Sequence, residues 1–179
     1  MASHLPTPWT VDDFLEWEAQ QPERYEFIVG TVGGSAAHTI IKGNLFASLA
    51  ARLRGGPRRA LAEGLKVVTP INVHYPDVAV ICTAIQPNDD QIREPVAIIE
   101  VLSRTTGDRD RGAKWVGYRE LPSLQHYVLV NQQRRFVEVY SREGAGWPLT
   151  LYAPPLQDVP LPAIGVELPL AEIYDGSGA

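Results

Sequence analysis

Two short runs, Val78-Ala79-Val80-Ile81 and Val96-Ala97-Ile98-Ile99, are apolar at every position, and each is bordered by an acid, Asp77 before the first and Glu100 after the second. Continuous apolar runs of this length mark central strands covered on both faces, so the chain must build layers above and below a sheet. Desolvating an unpaired carboxylate costs several kcal/mol, so each acid needs a cation or hydrogen-bond donors. If the two strands are neighbours, the acids meet at one end of the sheet and offer hard oxygen ligands of the kind that suit Mg²⁺ or Mn²⁺. An ion held there would acidify a water and neutralise charge on a phosphoryl oxygen. The residues alone leave a plainer alternative open, in which Asp77 is a turn residue after Pro76 and Glu100 pairs with an arginine such as Arg104.

The rest of the chain supplies the layers. Thr10 and Asp13 have the spacing of a reciprocal helix cap, with Trp9 placed to staple onto Phe14 and Pro22 ending the segment. Arg24 to Gly30 has strand composition, and Gly30, Gly33 and Gly34 suggest a hairpin. Ile41, Leu45, Leu49 and Leu53 recur every four residues and predict one long amphipathic helix from Ala36 to Arg54, stopped by Gly55-Gly56-Pro57. Strands are expected at about 59–69, 78–83 and 96–102, a helix at about 107–120, and further strands at Leu124–Val130, Phe136–Tyr140 and Trp147–Tyr152. Residues 1–8 read as a loose arm, residues 153–179 as a Pro-rich wrap over the surface, and Leu170–Tyr174 as one or two helical turns. No repeat or linker divides the 179 residues, so the expectation is a single α/β domain: a sandwich around a central mixed β-sheet flanked by helices.

Bulk properties exclude several classes. Hydrophobic content of 45% and charged content of 21% are those of a folded globular chain. The single cysteine, Cys82, rules out a disulfide framework or a cysteine zinc site and reads as a small buried thiol at the end of its strand. No apolar run reaches the ~20 residues that span a bilayer, and no signal peptide opens the chain, so a soluble cytoplasmic protein is expected. A net charge of −5 argues against a broad nonspecific nucleic-acid binder but leaves room for a local basic cleft.

Several strings in order carry a resemblance. They are Tyr25-Glu26-Phe27-Ile28-Val29-Gly30, the helix beginning near His38, Pro76-Asp77-Val78-Ala79-Val80, and Ile99-Glu100-Val101-Leu102-Ser103. Asp108-Arg109-Asp110 with Lys114 and Tyr118, and Gln125-His126-Tyr127-Val128-Leu129-Val130, follow. Together they make the chain similar to the Uma-two family of bacterial endonucleases, a branch of the PD-(D/E)XK nuclease superfamily. The resemblance implies a restriction-endonuclease-like fold, a Mg²⁺- or Mn²⁺-dependent reaction on DNA, and Asp77 and Glu100 as metal ligands. In the superfamily a lysine usually stands two residues after the second acid, but Leu102 occupies that place here. The resemblance moves the lysine to the following helix, as Lys114. It also implies Glu26 as a third acid of the metal shell and marks His38; Ser103 and Tyr118 could donate to phosphate, and Arg104 beside Ser103 is a further substrate-side candidate. Each has an ordinary structural alternative: a strand-edge acid beside Arg24, a helix N-terminal histidine, a solvated Lys114–Asp110 pair at i, i+4, a strand-end serine, an amphipathic-helix tyrosine. Thr31 stands where the branch commonly carries a further acid, which weakens any second metal there.

Arg104, Arg109, Arg111 and Arg119 flank Lys114, and Arg52, Arg54, Arg58 and Arg59 cluster after the long helix. If both groups faced one cleft, they would contact a phosphate backbone. The expected activity is metal-dependent endonucleolytic hydrolysis of DNA by a homodimer. The alternatives are a nuclease-like scaffold that no longer cuts and serves as a DNA-binding or protein-interaction module, and a hydrolase of small phosphorylated molecules, for which no phosphate loop is present.

Overall fold

The computed structural model describes residues 10–20, 35–102 and 110–179. Helix α1 (Val11–Glu18) starts on the expected reciprocal cap: the Asp13 amide donates to Thr10 Oγ1 at 3.1 Å and the Thr10 amide donates to Asp13 Oδ2 at 2.8 Å. Helix α2 (Ala36–Leu53) is capped by Ser35, whose hydroxyl accepts from the His38 amide, and it buries the four residues of its apolar stripe. Trp9, the side chain of Phe14 and the strand and hairpin expected over 24–34 lie outside the described residues.

The strands follow as β1 (Arg59–Ala62), β2 (Lys66–Val68), β3 (Val73–His74), β4 (Val78–Ile81), β5 (Gln91–Ile92) and β6 (Pro95–Leu102). Then come β7 (His126–Asn131), β8 (Val137–Ser141), β9 (Leu149–Tyr152), β10 (Asp158–Leu161) and β11 (Val166–Pro169). Six of them form the main sheet in the order β1-β4-β6-β7-β8-β9. It is mixed, since β6 and β7 run parallel while the other four pairings are antiparallel. A parallel pair needs a crossover, which here carries a π-helical turn (Asp110–Lys114) running into an α-helical turn (Trp115–Tyr118).

The single strand expected over 59–69 is two. Gly64, at φ +142°, turns the chain so that β2 leaves β1 and joins a separate small sheet with β3 and β5. Cys82 is exposed, which corrects the buried-thiol expectation: the β4–β6 register shifts at Val80/Ile81 and β4 ends at Ile81.

One face of the sheet is covered by α2, the β10–β11 hairpin and the C-terminal helix Leu170–Ile173. The hairpin corrects the reading of 153–169 as a surface wrap. Val159, Leu161, Val166 and Leu168 alternate inward and are buried, and Pro160 is tolerated because both strands of a two-stranded sheet are edges. The opposite face is packed by the crossover turns and by Val67 and Ile92 of the small sheet.

Candidate active site

The antiparallel pairing sets Val78 against Ile99 and Ala79 against Ile98. One further step of that register sets Asp77 against Glu100, so two acids far apart in sequence become neighbours at one end of β4.

Asp77 sits where β4 has not yet begun but β6 still runs. Its Oδ2 accepts from the Val101 amide at 2.8 Å, satisfying a backbone donor that has no strand partner at that level. Its Oδ1 faces α2, with His38 Nε2 at 3.2 Å and Lys42 Nζ at 3.9 Å. His38 and Lys42 are one helical turn apart, so the N-terminal half of α2 brings both to the same oxygen. Burial on its own would raise the Asp77 pKa. The His38 hydrogen bond and charge, the Val101 amide and Lys42 together hold it below the ordinary aspartate value, and the group stays ionised at neutral pH.

Glu100 is 3% exposed and points to the other face of the sheet from Ile99 and Val101. Its Oε1 accepts from Lys114 Nζ and from the Tyr118 hydroxyl, each at 3.2 Å. The Lys114 ammonium also lies 3.3 Å from Asp110 Oδ1. The i, i+4 partner weighed as a solvated pair is therefore present but inside the protein, with Asp110 and Lys114 only 1% and 5% exposed. The π-helical turn that carries them is a departure from α geometry that recurs at functional sites.

Neighbouring groups fix this arrangement. Tyr127, from β7, donates to the Asp110 carbonyl at 2.9 Å, and burial together with the charges of Glu100 and Asp110 pushes its pKa well above the ordinary value, so it acts as a fixed neutral donor. Trp115 stacks on Tyr127 and Tyr140, and His74 meets Tyr118 edge-on at 5.1 Å. Gly117 closes the packing: a Cβ there would stand 2.8 Å from Thr69 Oγ1, so only glycine lets the α-helical turn seat this close.

The structure thus brings together Asp77 with His38, and Glu100 with Lys114 and Tyr118. Glu26, Ser103 and Arg104 lie outside the described residues, as does Arg109. Sequence reasoning left Asp110 as a mere pairing partner and missed Lys42 and Tyr127. Lys42 had one signal available, its four-residue offset from His38. Arg111 Nε donates to both Glu138 carboxylate oxygens at 3.1 Å.

The donor set can be tested against a divalent ion. Three carboxylates, Asp77, Glu100 and Asp110, face two ammonium groups, and one of these, Lys42, is shared with Glu63. Asp77 is served by His38 and Lys42 from α2, while Glu100 and Asp110 share the single ammonium of Lys114 from the crossover. Among the described residues no three acids, histidines or cysteines converge as a complete metal cage. Mg²⁺ does not need one, since it is commonly bound by one or two carboxylates with water filling the other positions. Asp77 and Glu100 are hard oxygen donors of the type such an ion takes, Asp77 turned toward α2 and Glu100 toward the crossover.

The sequence model of the Uma2 family, described as "Putative restriction endonuclease", matches residues 11–171. The chain belongs to the Uma2 family. Two relatives come from Synechocystis sp., both described as uncharacterized. The protein slr1290 is 31% identical, over 98% of this chain and 98% of its own length. The protein sll1609 is 30% identical, over 79% of this chain and 85% of its own. The fold is shared with a protein of Anabaena variabilis whose crystal structure is described as that of a putative nuclease belonging to DUF820. The TM-score is 0.75 at 19% identity, covering 93% of this Uma2 chain and 98% of the other. Among the described residues no helix is long and apolar enough to cross a membrane.

Proposed function

We propose that this Uma2 protein is a metal-dependent endonuclease that hydrolyses phosphodiester bonds of DNA. The observation that carries the reading is the opposed register of Asp77 and Glu100, with the Lys114 ammonium 3.2 Å from Glu100. Asp77 and Glu100 would hold Mg²⁺ or Mn²⁺, which supplies Lewis-acid stabilisation of the phosphoryl oxygens and lowers the pKa of a water. His38 and Lys42 keep Asp77 ionised, and Tyr118 holds the Glu100 carboxylate in one orientation. Lys114 orients the attacking water or stabilises the charge that builds on the phosphate, and needs only to lie within hydrogen-bond reach of either. Glu26 would support the metal shell, and Ser103 and Arg104, next in sequence after Leu102, would contact the substrate phosphate. The active form is a homodimer, because cutting both strands requires two sites facing two backbones.

A second reading has an observation of its own. Glu100 Oε1 already accepts from Lys114 and Tyr118, and Asp77 from Val101 and His38, so the acids are satisfied without a metal. That is what a nuclease-like scaffold retired to DNA or protein binding would show. Calorimetric titration with Mn²⁺ separates the two, since only the nuclease has to bind it.

The decisive test is nicking of supercoiled plasmid in Mg²⁺ by the wild type, Asp77→Asn and Glu100→Gln. Gln and Asn are chosen because they keep the side-chain volume and an accepting oxygen while removing the charge that would hold a cation, and Lys114 retains Asp110 as its anionic partner. Both variants should lose about 10³-fold in rate while melting near the wild-type temperature. Wild-type rates in both would end the mechanism.

A further inference from the structure

We infer that Arg54, Arg58 and Arg59 form a second, non-catalytic site for the phosphates of a nucleic-acid duplex, at the end of the sheet away from Asp77. The inference rests on the nuclease reading for its substrate and stands on a separate group of residues. Among the described residues, the arginines near α2 and the crossover divide cleanly. Arg52 pairs with Glu172 at 2.9 Å, Arg111 with Glu138, and Arg119 with Glu120 at 3.5 Å. Arg54, Arg58 and Arg59 form no ion pair with any acid of the described chain, and the Arg58 Nε is shielded from solvent without a hydrogen-bond partner. All three line one surface depression, whose floor includes Gly55 and Gly56 and leaves the backbone open to a close approach.

Three guanidinium groups without an acid partner make a local positive patch on a chain of net charge −5, and such a patch attracts anions. The C-terminus of α2 supplies only about half a negative charge, far less than the three positive ones. Guanidinium forks match the oxygens of phosphate and carboxylate alike and are weakly hydrated, and the nuclease reading supplies the phosphate.

Position selects a polymer rather than a small anion. Arg59 pairs with Ile81, four residues along β4 from Asp77, a rise of about 13 Å. Arg54 lies sixteen residues along the chain from His38 at the far end of α2, or about 24 Å of helix. With about 3.4 Å between successive phosphates of one strand, these distances correspond to about four to seven base pairs from the cut. The arginines are therefore separate from the buried Lys114 cluster. They lie on the β1 edge of the sheet, where a duplex leaving Asp77 can follow the rim.

The test is fluorescence anisotropy with a labelled duplex of about 30 base pairs in EDTA over a salt series, comparing the wild type with the triple variant Arg54→Gln/Arg58→Gln/Arg59→Gln. The triple variant should bind at least tenfold more weakly, with the slope of log K against log salt reduced by about 2–3, as about 0.9 per lost phosphate contact requires. Arg54→Gln and Arg59→Gln singly, both at exposed positions, should each reduce the slope by about 0.9. They keep the test valid if the triple variant folds poorly, which circular dichroism will reveal. An unchanged affinity and slope overturn the inference, as does a wild type that binds no duplex. Competition by inorganic phosphate as effective, per phosphate, as unlabelled duplex also overturns it, because the site would then be one for small anions. Plasmid nicking by Asp77→Asn and Glu100→Gln tests the nuclease reading independently, so either result can fail without the other.

Discussion

The two faces of the main sheet are built from the same strands and do different work. On the α2 face, Ile99 and Val101 of β6 meet Ile41, Leu45 and Leu49 in a packing of aliphatic side chains. On the crossover face, the alternate residues Ile98, Glu100 and Leu102 meet Tyr118, Tyr127 and Trp115, with Asp110 and Lys114 enclosed among them. One strand thus carries a dry core on one side and a buried charge cluster on the other, separated only by the two-residue alternation of a pleat. The dry face can hold the sheet rigid because its packing is mainly aliphatic and its few polar groups, His126 and the Tyr174 hydroxyl, are hydrogen-bonded within it. The charged face can be reactive because that rigid sheet fixes where its acids stand.

Substitutions can pull the two faces apart. The largest effect belongs to the charged face, where Glu100→Gln is expected to remove about 10³-fold of nicking rate with little change in melting temperature. On the dry face, Leu45→Ala should cost about 2–5 kcal/mol in a urea titration and leave the rate per folded molecule unchanged. A large loss of specific activity in Leu45→Ala would mean that the faces are not separable. Gly117→Ala probes how the crossover seats against the sheet. Thr69 Oγ1 is held by Asn72, donating to its carbonyl at 3.0 Å and accepting from its amide at 2.9 Å, so it cannot retreat from the new methyl group. The expected cost is about 1–3 kcal/mol. A drop in nicking should accompany it, because Lys114 and Tyr118 ride on the same turns; full activity with lowered stability would show that their position tolerates the shift.

The smallest effect ties the dry face to pH. His126 Nε2 accepts from the Ala163 amide at 3.1 Å, linking β7 to the loop of the β10–β11 hairpin, and Nδ1 pairs with Ser141 Oγ at 3.0 Å. Only a neutral ring can accept at Nε2, and burial lowers the pKa below the ordinary histidine value. A depressed folded-state pKa means that this stabilisation is full above the unfolded value of about 6.5 and is lost as the pH falls through the folded one. Between pH 7.5 and 5.5 the wild type should therefore lose about 1 kcal/mol more than His126→Gln, read from paired thermal melts. Equal losses would show that the linkage carries no pH dependence.

Much of this was legible in the sequence. The cap at Thr10, the α2 stripe and the placing of Asp77 and Glu100 at strand borders were visible because each is a local pattern with a local cost. The hairpin over 158–169 was hidden by its prolines, which argue against a strand unless it is known to be an edge. Cys82 was misplaced because a bulge is a property of two paired strands, and one strand read alone does not contain it. Lys114 and Asp110 were legible as a pair, yet their burial was not, since i, i+4 spacing is the same for a solvated face and for an enclosed one.

By itself the sequence determined that two strands must be buried and that each must bring an acid to its border, because apolar periodicity and the cost of desolvating a carboxylate act along the chain. Only the tertiary structure decided that Asp77 answers to His38 and Lys42 across 39 and 35 positions, and that Glu100 answers to Lys114 and Tyr118. Which cation meets which acid depends on strand register and on the seating of one helix on each face. Those are fixed by the packing of the whole domain, which no local stretch of residues encodes.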